Sequence, residues 1–275
     1  MSAKSWCTLV TESAYKTPIT VAGDNVDTEW VPLDLPDDDA VTVRRQPVVE
    51  QLFTAKARGG PDRVVGDAYA VNGSARGVLY PNQAPLVVGW GMMLVDQAAN
   101  PDQPWTTTEP DGDLASATLS LAYEDWTMAT AAMTKHRYRG CKVRQMTLEA
   151  SRGTRGGVVQ WSADIVGSDE VSSTDSEPGL DKYPTLAAYH LSDSTLKINN
   201  TTVSNYEGFR LTVANTLDVA YDEEKTASVV RLQSRTITLT VPAAALKATP
   251  NWEALYTGQT LLATTELVLT HPGNN

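Results

Sequence analysis

The side chains that could do chemistry in this sequence are few and dispersed. Three histidines, His136, His190 and His271, are scattered along the chain. None falls at the HExxH spacing that would set two imidazoles on one helix face for zinc. The two cysteines, Cys7 and Cys141, lie far apart without a CxxC partner. That spacing leads us to expect neither a disulfide framework nor a cysteine-ligated metal. Asp37-Asp38-Asp39 and Asp111-Gly-Asp113 could offer oxygens to Ca²⁺, but neither continues into an EF-hand loop with its closing Glu, so both read as solvated turns. A GxSxG elbow and a GxxxxGK phosphate loop are missing, and Gly89-Trp-Gly-Met-Met-Leu94 departs from GxGxxG at its last position. Paired carboxylates for glycoside cleavage depend on a separation set by the fold, not by the sequence. The expectation is a chain with no catalytic residue, no cofactor and no metal site, hence not an enzyme.

The elements that carry these side chains are mostly strands. A chain of 275 residues, a fifth of them charged, with only two Phe and with Thr and Val abundant, suits half-buried pleated sheet and can bury a core without staples. Alternation places Leu119, Leu121 and Tyr123 on one face of 116–123, and Met146, Leu148 and Ala150 on one face of 141–150. In 158–166, Val159, Trp161, Ala163 and Ile165 oppose Gln160, Ser162 and Asp164; the Gly-rich 151–157 turn makes the last two strands a hairpin. In 209–221, Phe209, Leu211, Val213, Leu217 and Val219 oppose Arg210, Thr212, Thr216 and Asp218. In 235–241, Ile237, Leu239 and Val241 point inward, and 261–270 reads as a closing strand. Asn72-Gly73 predicts a type I′ turn between strands 63–71 and 74–80. Leu86, Trp90, Met93 and Leu94 recur at helical spacing, predicting an amphipathic helix over about 81–97 that packs on a sheet. Asn251–Tyr256 reads as a short helix before Gly258. The stretch 8–36, broken by Pro18, Gly23, Pro32 and Pro36, reads as an extended arm, and 100–112 and 167–179 read as exposed loops.

Net charge is −11, which disfavours a protein that grips nucleic acid, because such affinity comes from Lys and Arg releasing counterions from phosphate. The residues from Met1 to Thr8 do not form a secretory leader, and the longest apolar run, 84–95, is shorter than the roughly 20 residues of a membrane span. No membrane association is expected, and folding in a cytoplasm is.

The order of the pieces resembles a known family. Thr11-Glu-Ser-Ala-Tyr-Lys-Thr-Pro18 resembles the start of siphophage major tail tube proteins, with Lys16 where Gly is common. Val64-Val-Gly-Asp, Gly73, Gly77 and Tyr80-Pro81 are similar to the family's lead into its single helix. Tyr138-Arg-Gly-Cys-Lys-Val, then the alternating strand, the Gly turn and 158–167, follows in order, as do Thr212-Val-Ala-Asn215 and Arg235-Thr-Ile-Thr-Leu-Thr-Val241. The likeness covers most of the chain. It implies a mainly β fold, a tail-tube-type β-barrel or sandwich of two packed antiparallel sheets with one flanking α-helix and extended arms, as a single domain over 1–275. It further implies hexameric rings that stack into a hollow tube for DNA, with a tape measure protein, a tail terminator and baseplate or tail-tip proteins as partners, in a virion made in the host bacterial cytoplasm.

On that reading, the polar strand residues Glu149, Gln160, Ser162, Asp164, Thr212, Thr216 and Asp218 are lumen-lining candidates. The segment 8–62 is an arm and inter-subunit loop, with Arg44, Arg45, Phe53, Arg58 and Arg63 as contact candidates. Two other readings stay open: a different tail part such as a terminator, baseplate hub or receptor-binding subunit, and a carbohydrate-binding or carbohydrate-acting β-sandwich using some of the seven Trp.

Overall fold

A computed structural model describes residues 5–18, 31–33, 40–52, 63–81, 83–92, 95–96, 106–107, 114–123, 135–153, 155–173, 187–198, 201–203, 206–221, 225–241 and 265–270. Its strands are β1 (Ser5–Ala14), β2 (Thr17–Pro18), β3 (Val31–Leu33), β4 (Arg44–Leu52), β5 (Arg63–Val78), β6 (Val95–Asp96), β7 (Thr106–Thr107), β8 (Ala117–Tyr123), β9 (Lys135–Ser151), β10 (Gln160–Gly167), β11 (Asp169–Ser173), β12 (Ser194–Ile198), β13 (Thr201–Val203), β14 (Gly208–Ala220), β15 (Val229–Thr240) and β16 (Thr265–Leu269), with helix α1 (Ala84–Met92) between β5 and β6. The fold is mainly β, as its sequence pattern predicts.

Two antiparallel sheets share one strand. The first half of β9 pairs with β8 and β11, and β8 pairs with β1, which also carries β2 and β3. The second half of β9 pairs with β10 and β14, giving the order β4-β5-β10-β9-β14-β15. The chain crosses between the sheets a second time where β10 runs into β11 at Gly167–Ser168. Apolar faces from both sheets close over one core that contains Cys7, Leu9, Leu119 and Leu121 from one side and Met146, Leu148, Trp161 and Phe209 from the other. A small sheet, β13-β12-β16, adds Leu196 and Val203 to the same core.

The hairpin of β9 and β10 matches expectation: Gln160 faces Glu149, and Gly156 and Gly157 take the positive φ angles that the turn needs. Other expectations are corrected. Asn72-Gly73 is not a turn; both residues lie within the unbroken strand β5 and pair with Val166 and Ile165. The first residues of the expected arm form sheet, since Cys7, Leu9 and Val10 are buried and β1 pairs with β8 from Ser5 to Thr11. The rest of 8–36, apart from β2 and β3, lies outside the described residues, as do Phe53, Arg58 and the expected helix at Asn251–Tyr256. Part of the expected loop 167–179 is β11.

The helix is shorter than predicted and differs in character. Val87, Gly89, Trp90 and Gly91 are buried and its other described residues are half-buried, so it is enclosed on several sides instead of being amphipathic. Pro85 suits its first turn, where no N–H is needed. At its end Gly91 lies so close to Met146 on β9 that a Cβ would meet the sulfur, and the Trp90 indole N–H donates to Cys141 O at 2.9 Å. Ile237 faces inward opposite Val213 but is not buried; it is 50 % exposed because no described strand covers the far side of β15.

Candidate functional site

The lumen candidates converge. Registered pairing sets Val78, Gln160, Glu149, Arg210 and Thr240 in one row across β5, β10, β9, β14 and β15. The next row is Arg76, Ser162, Thr147, Thr212 and Thr238, and the one after it Ser74, Asp164, Gln145, Ala214 and Thr236. Thr216 faces Ser234, and Asp218 faces Arg231. Alternation turns these rows away from the core, and Ser162, Asp164, Thr216 and Asp218 are exposed while Glu149, Gln160 and Thr212 are half-buried. One sheet face therefore carries all seven candidates, together with many Ser and Thr hydroxyls.

Sequence reasoning missed the cations on this face. Arg76, Arg210 and Arg231 are exposed; Arg210 shares a row with Glu149 and Arg231 faces Asp218, whereas the row of Arg76 otherwise holds only hydroxyl side chains. Arg210 donates to Glu149 Oε2 at 2.8 Å from Nε, with Nη2 2.6 Å away, in a largely solvated pair. Exposed Arg144, the extra residue at the β9 bulge beside Gln145, adds a further cation, so the face is mixed in charge, not acidic. Strand alternation did list Arg210 among the outward residues, so register across strands was the lacking information.

A second constellation ties the sheets together, built from two of the segments that resemble the tail tube family. Between Ala117–Cys141 and Leu119–Tyr138 the pairing of β8 with β9 gains one residue on β9, and Gly140 sits there at φ +64°. This is a bulge of the kind that needs glycine in the left-handed region and bends the strand. It lets the first half of β9 leave one sheet as the second half joins the other. Glu12 of β1 fastens the bend. Its Oε1 accepts from Gly140 N–H at 2.8 Å and from the Thr118 hydroxyl at 2.7 Å, and its Oε2 accepts from Lys16 N–H at 2.9 Å. Arg139 beside the bulge donates to both carboxylate oxygens of Asp169, at 2.9 and 2.5 Å. Burial pushes the Tyr15 phenol and the Cys141 thiol up from their ordinary pKa values, with the Glu12 carboxylate nearby adding to both shifts. Both groups stay neutral here and serve packing.

Lys16 explains its own departure from the family pattern. It has φ +65°, the only non-glycine among the described residues with a positive φ. The left-handed conformation costs an L-residue about 1–2 kcal/mol, partly offset by the entropy that glycine would lose. Lys16→Gly is expected to raise stability by about 0.5–1 kcal/mol in urea titration, with the Glu12 contact to the backbone N–H retained.

A third polar group couples the helix to the sheet that carries the polar face. Buried Asn215 donates through Nδ2 to Val143 O at 2.8 Å and Gly91 O at 3.3 Å, and its Oδ1 accepts from Arg235 Nε at 2.8 Å. Arg235 Nη1 also donates to Met92 O at 2.6 Å. An Asn and an Arg from neighbouring strands thus satisfy carbonyls at the helix C-terminus, where a cation is favoured.

The remaining chemistry-bearing residues do not come together. His136 Nδ1 lies 2.6 Å from Glu170, and His190 stands at a turn where its N–H donates to Asp193. Among the described residues no three of His, Cys, Asp and Glu are placed to hold a metal ion. No described helix is long and apolar enough to cross a membrane. Trp90 and Trp161 are 1 % and 2 % exposed, so neither offers a ring to a sugar. Arg44 and Arg45 are exposed on β4, with the Arg45 guanidinium 3.7 Å over the Tyr69 ring; Arg63 opens β5. A family model described as phage tail tube protein matches residues 8–275. No curated protein matches the chain.

Proposed function

Because this chain belongs to the phage tail tube protein family and is a structural component of the virion tail, we propose that it closes into hexameric rings which stack into the tube of a siphophage tail and conduct DNA during ejection. The observation that carries the reading is the single polar sheet face of mixed charge, which we assign to the lumen. Double-stranded DNA carries a negative charge about every 1.7 Å along its axis and binds wherever Lys and Arg are in excess. A wall of hydroxyls, with Arg76, Arg144, Arg210 and Arg231 interspersed with Glu149, Asp164 and Asp218, offers DNA no continuous run of cations. The chain's negative charge then resides mainly away from the channel, and DNA meets a wall that neither condenses nor strongly repels it.

Rings close by rotation, whereas ring-on-ring contact is head to tail and propagates without limit, so one subunit can build the tube. The tape measure protein occupies the lumen before DNA does, and the terminator and baseplate or tail-tip proteins meet the two open ends. The subunit folds in the host cytoplasm, and Arg44 and Arg45 contact a neighbouring copy.

The test makes the wall basic at two exposed positions. Virions carrying Ser162→Arg with Asp164→Arg are expected to assemble, and to release DNA in vitro at least about tenfold more slowly at low salt, with the rate recovering as salt rises. Unchanged release from normal tubes, or a cryo-EM map with these residues on the outer wall, would overturn the assignment.

A further inference from the structure

The strands of the channel face carry unlike features at their two ends. At one end a cavity of about 330 Å³ opens beside Ala150, Val158 and Phe209, with Thr240 on its wall and the Glu149–Arg210 pair at its lip. It combines apolar walls with a carboxylate acceptor and a guanidinium donor at the lip, with Ser151 and Gln160 also lining it, and it is large enough for a single aromatic side chain. At the other end of β14 stands Tyr221, 38 % exposed and among the most exposed large apolar side chains described. The twelve residues from Phe209 to Tyr221, at about 3.3 Å each, put the two features roughly 40 Å apart.

Stacked rings must join one end of each subunit to the opposite end of the next. A head-to-tail contact of this kind needs complementary, not identical, patches at the two ends of one molecule. From this pairing, and resting on the tube reading above, we infer that Tyr221 of one copy seats in the Phe209 cavity of a copy in the next ring. The ring fills the apolar part. The hydroxyl lies at the lip, donating to the Glu149 carboxylate or accepting from the Arg210 guanidinium. An exposed ion pair that contributes little in an isolated subunit then gains weight once the contact excludes water.

The test uses two variants of the full chain, both at exposed positions: Tyr221→Ser, which removes the knob, and Thr240→Trp, which fills the socket. Each alone is expected to give folded, closed rings that do not elongate, by negative-stain microscopy and light scattering. Mixed together they are expected to give paired rings and nothing longer, because each ring then offers one intact half of a single contact. Tubes of normal length from Tyr221→Ser would overturn the inference while leaving the tube reading intact, and would give the cavity to another occupant. Paired rings from either variant alone would overturn it too. Failure of the unmodified chain to form any tube or ring would instead count against the proposed function.

Discussion

Gly140→Ala is expected to cost at least about 3 kcal/mol, and Gly140→Val to leave little folded protein. Two independent terms add. The residue's φ of +64° costs a side chain about 1–2 kcal/mol. A Cβ there would also lie 2.9 Å from Tyr15 Cε2, 3.0 Å from Cζ and 3.1 Å from Ser168 Cβ, closer than carbon atoms pack. The Tyr15 ring is half-buried with Lys142 Nζ 5.3 Å from its centroid, which restricts its swing. Relief must come through the bulge, which would draw Gly140 N–H away from Glu12. Domains of this kind are stable by only about 5–15 kcal/mol, so the loss is a large share. Urea unfolding of Gly140→Ala, Glu12→Ala and the double variant measures the coupling. Each single change releases the same fastening, so the double variant should lose clearly less than the sum. Additive losses would show that the bulge and the Glu12 carboxylate do not act as one unit.

The strands with a buried side were readable from the sequence because their signal is local. Val159, Trp161, Ala163 and Ile165 alternate with Gln160, Ser162 and Asp164, and all four apolar residues are buried. The same alternation on β14 placed the outward residues of the polar face, so most of the candidate site could be read from single strands. What could not be read arises between strands. The row that sets Arg210 beside Glu149, or Asp218 opposite Arg231, requires the register of β9, β14 and β15 together. The expected inward Ile237 has the right parity but lies where no described strand extends the core. Glu12 and Gly140 are separated by 128 positions, and their contact becomes visible only when β1 and β8 bring them together. The helix was misjudged because a spacing that fits one apolar stripe does not reveal that other packing encloses the remaining sides.

Gly73 carries the same lesson and the other large expected effect. Asn72-Gly73 has the composition of a tight turn, since both residues tolerate positive φ. Yet Gly73 lies in an unbroken strand and needs to be glycine for space. A Cβ there would stand 2.4 Å from the Cα and 2.6 Å from the N of Val43, and 2.7 Å from the carbonyl carbon of Thr42. These are backbone atoms, and the segment that carries them is pinned. Thr42 N–H donates to Ser74 O at 2.8 Å, Arg76 N–H donates to Ala40 O at 2.9 Å, and Ser74 N–H donates to Thr42 Oγ1 at 3.1 Å. Val43 is buried in the core on the same side. Gly73→Ala must therefore either unseat residues 40–43 or open β5, and a loss of at least about 3 kcal/mol is expected. Gly153→Ala is the control, because a Cβ there meets nothing within 4 Å, and its midpoint in urea should stay within about 0.5 kcal/mol of the parent. The functional consequence follows from position. Residues 40–43 deliver the chain into β4, the strand that presents Arg44 and Arg45 at the edge of the sheet, next to β5. A Gly73→Ala protein that still folds at low temperature should form fewer rings than the control at equal concentration. Parent-like stability together with parent-like ring formation would mean that this crossing holds neither the sheet nor its edge.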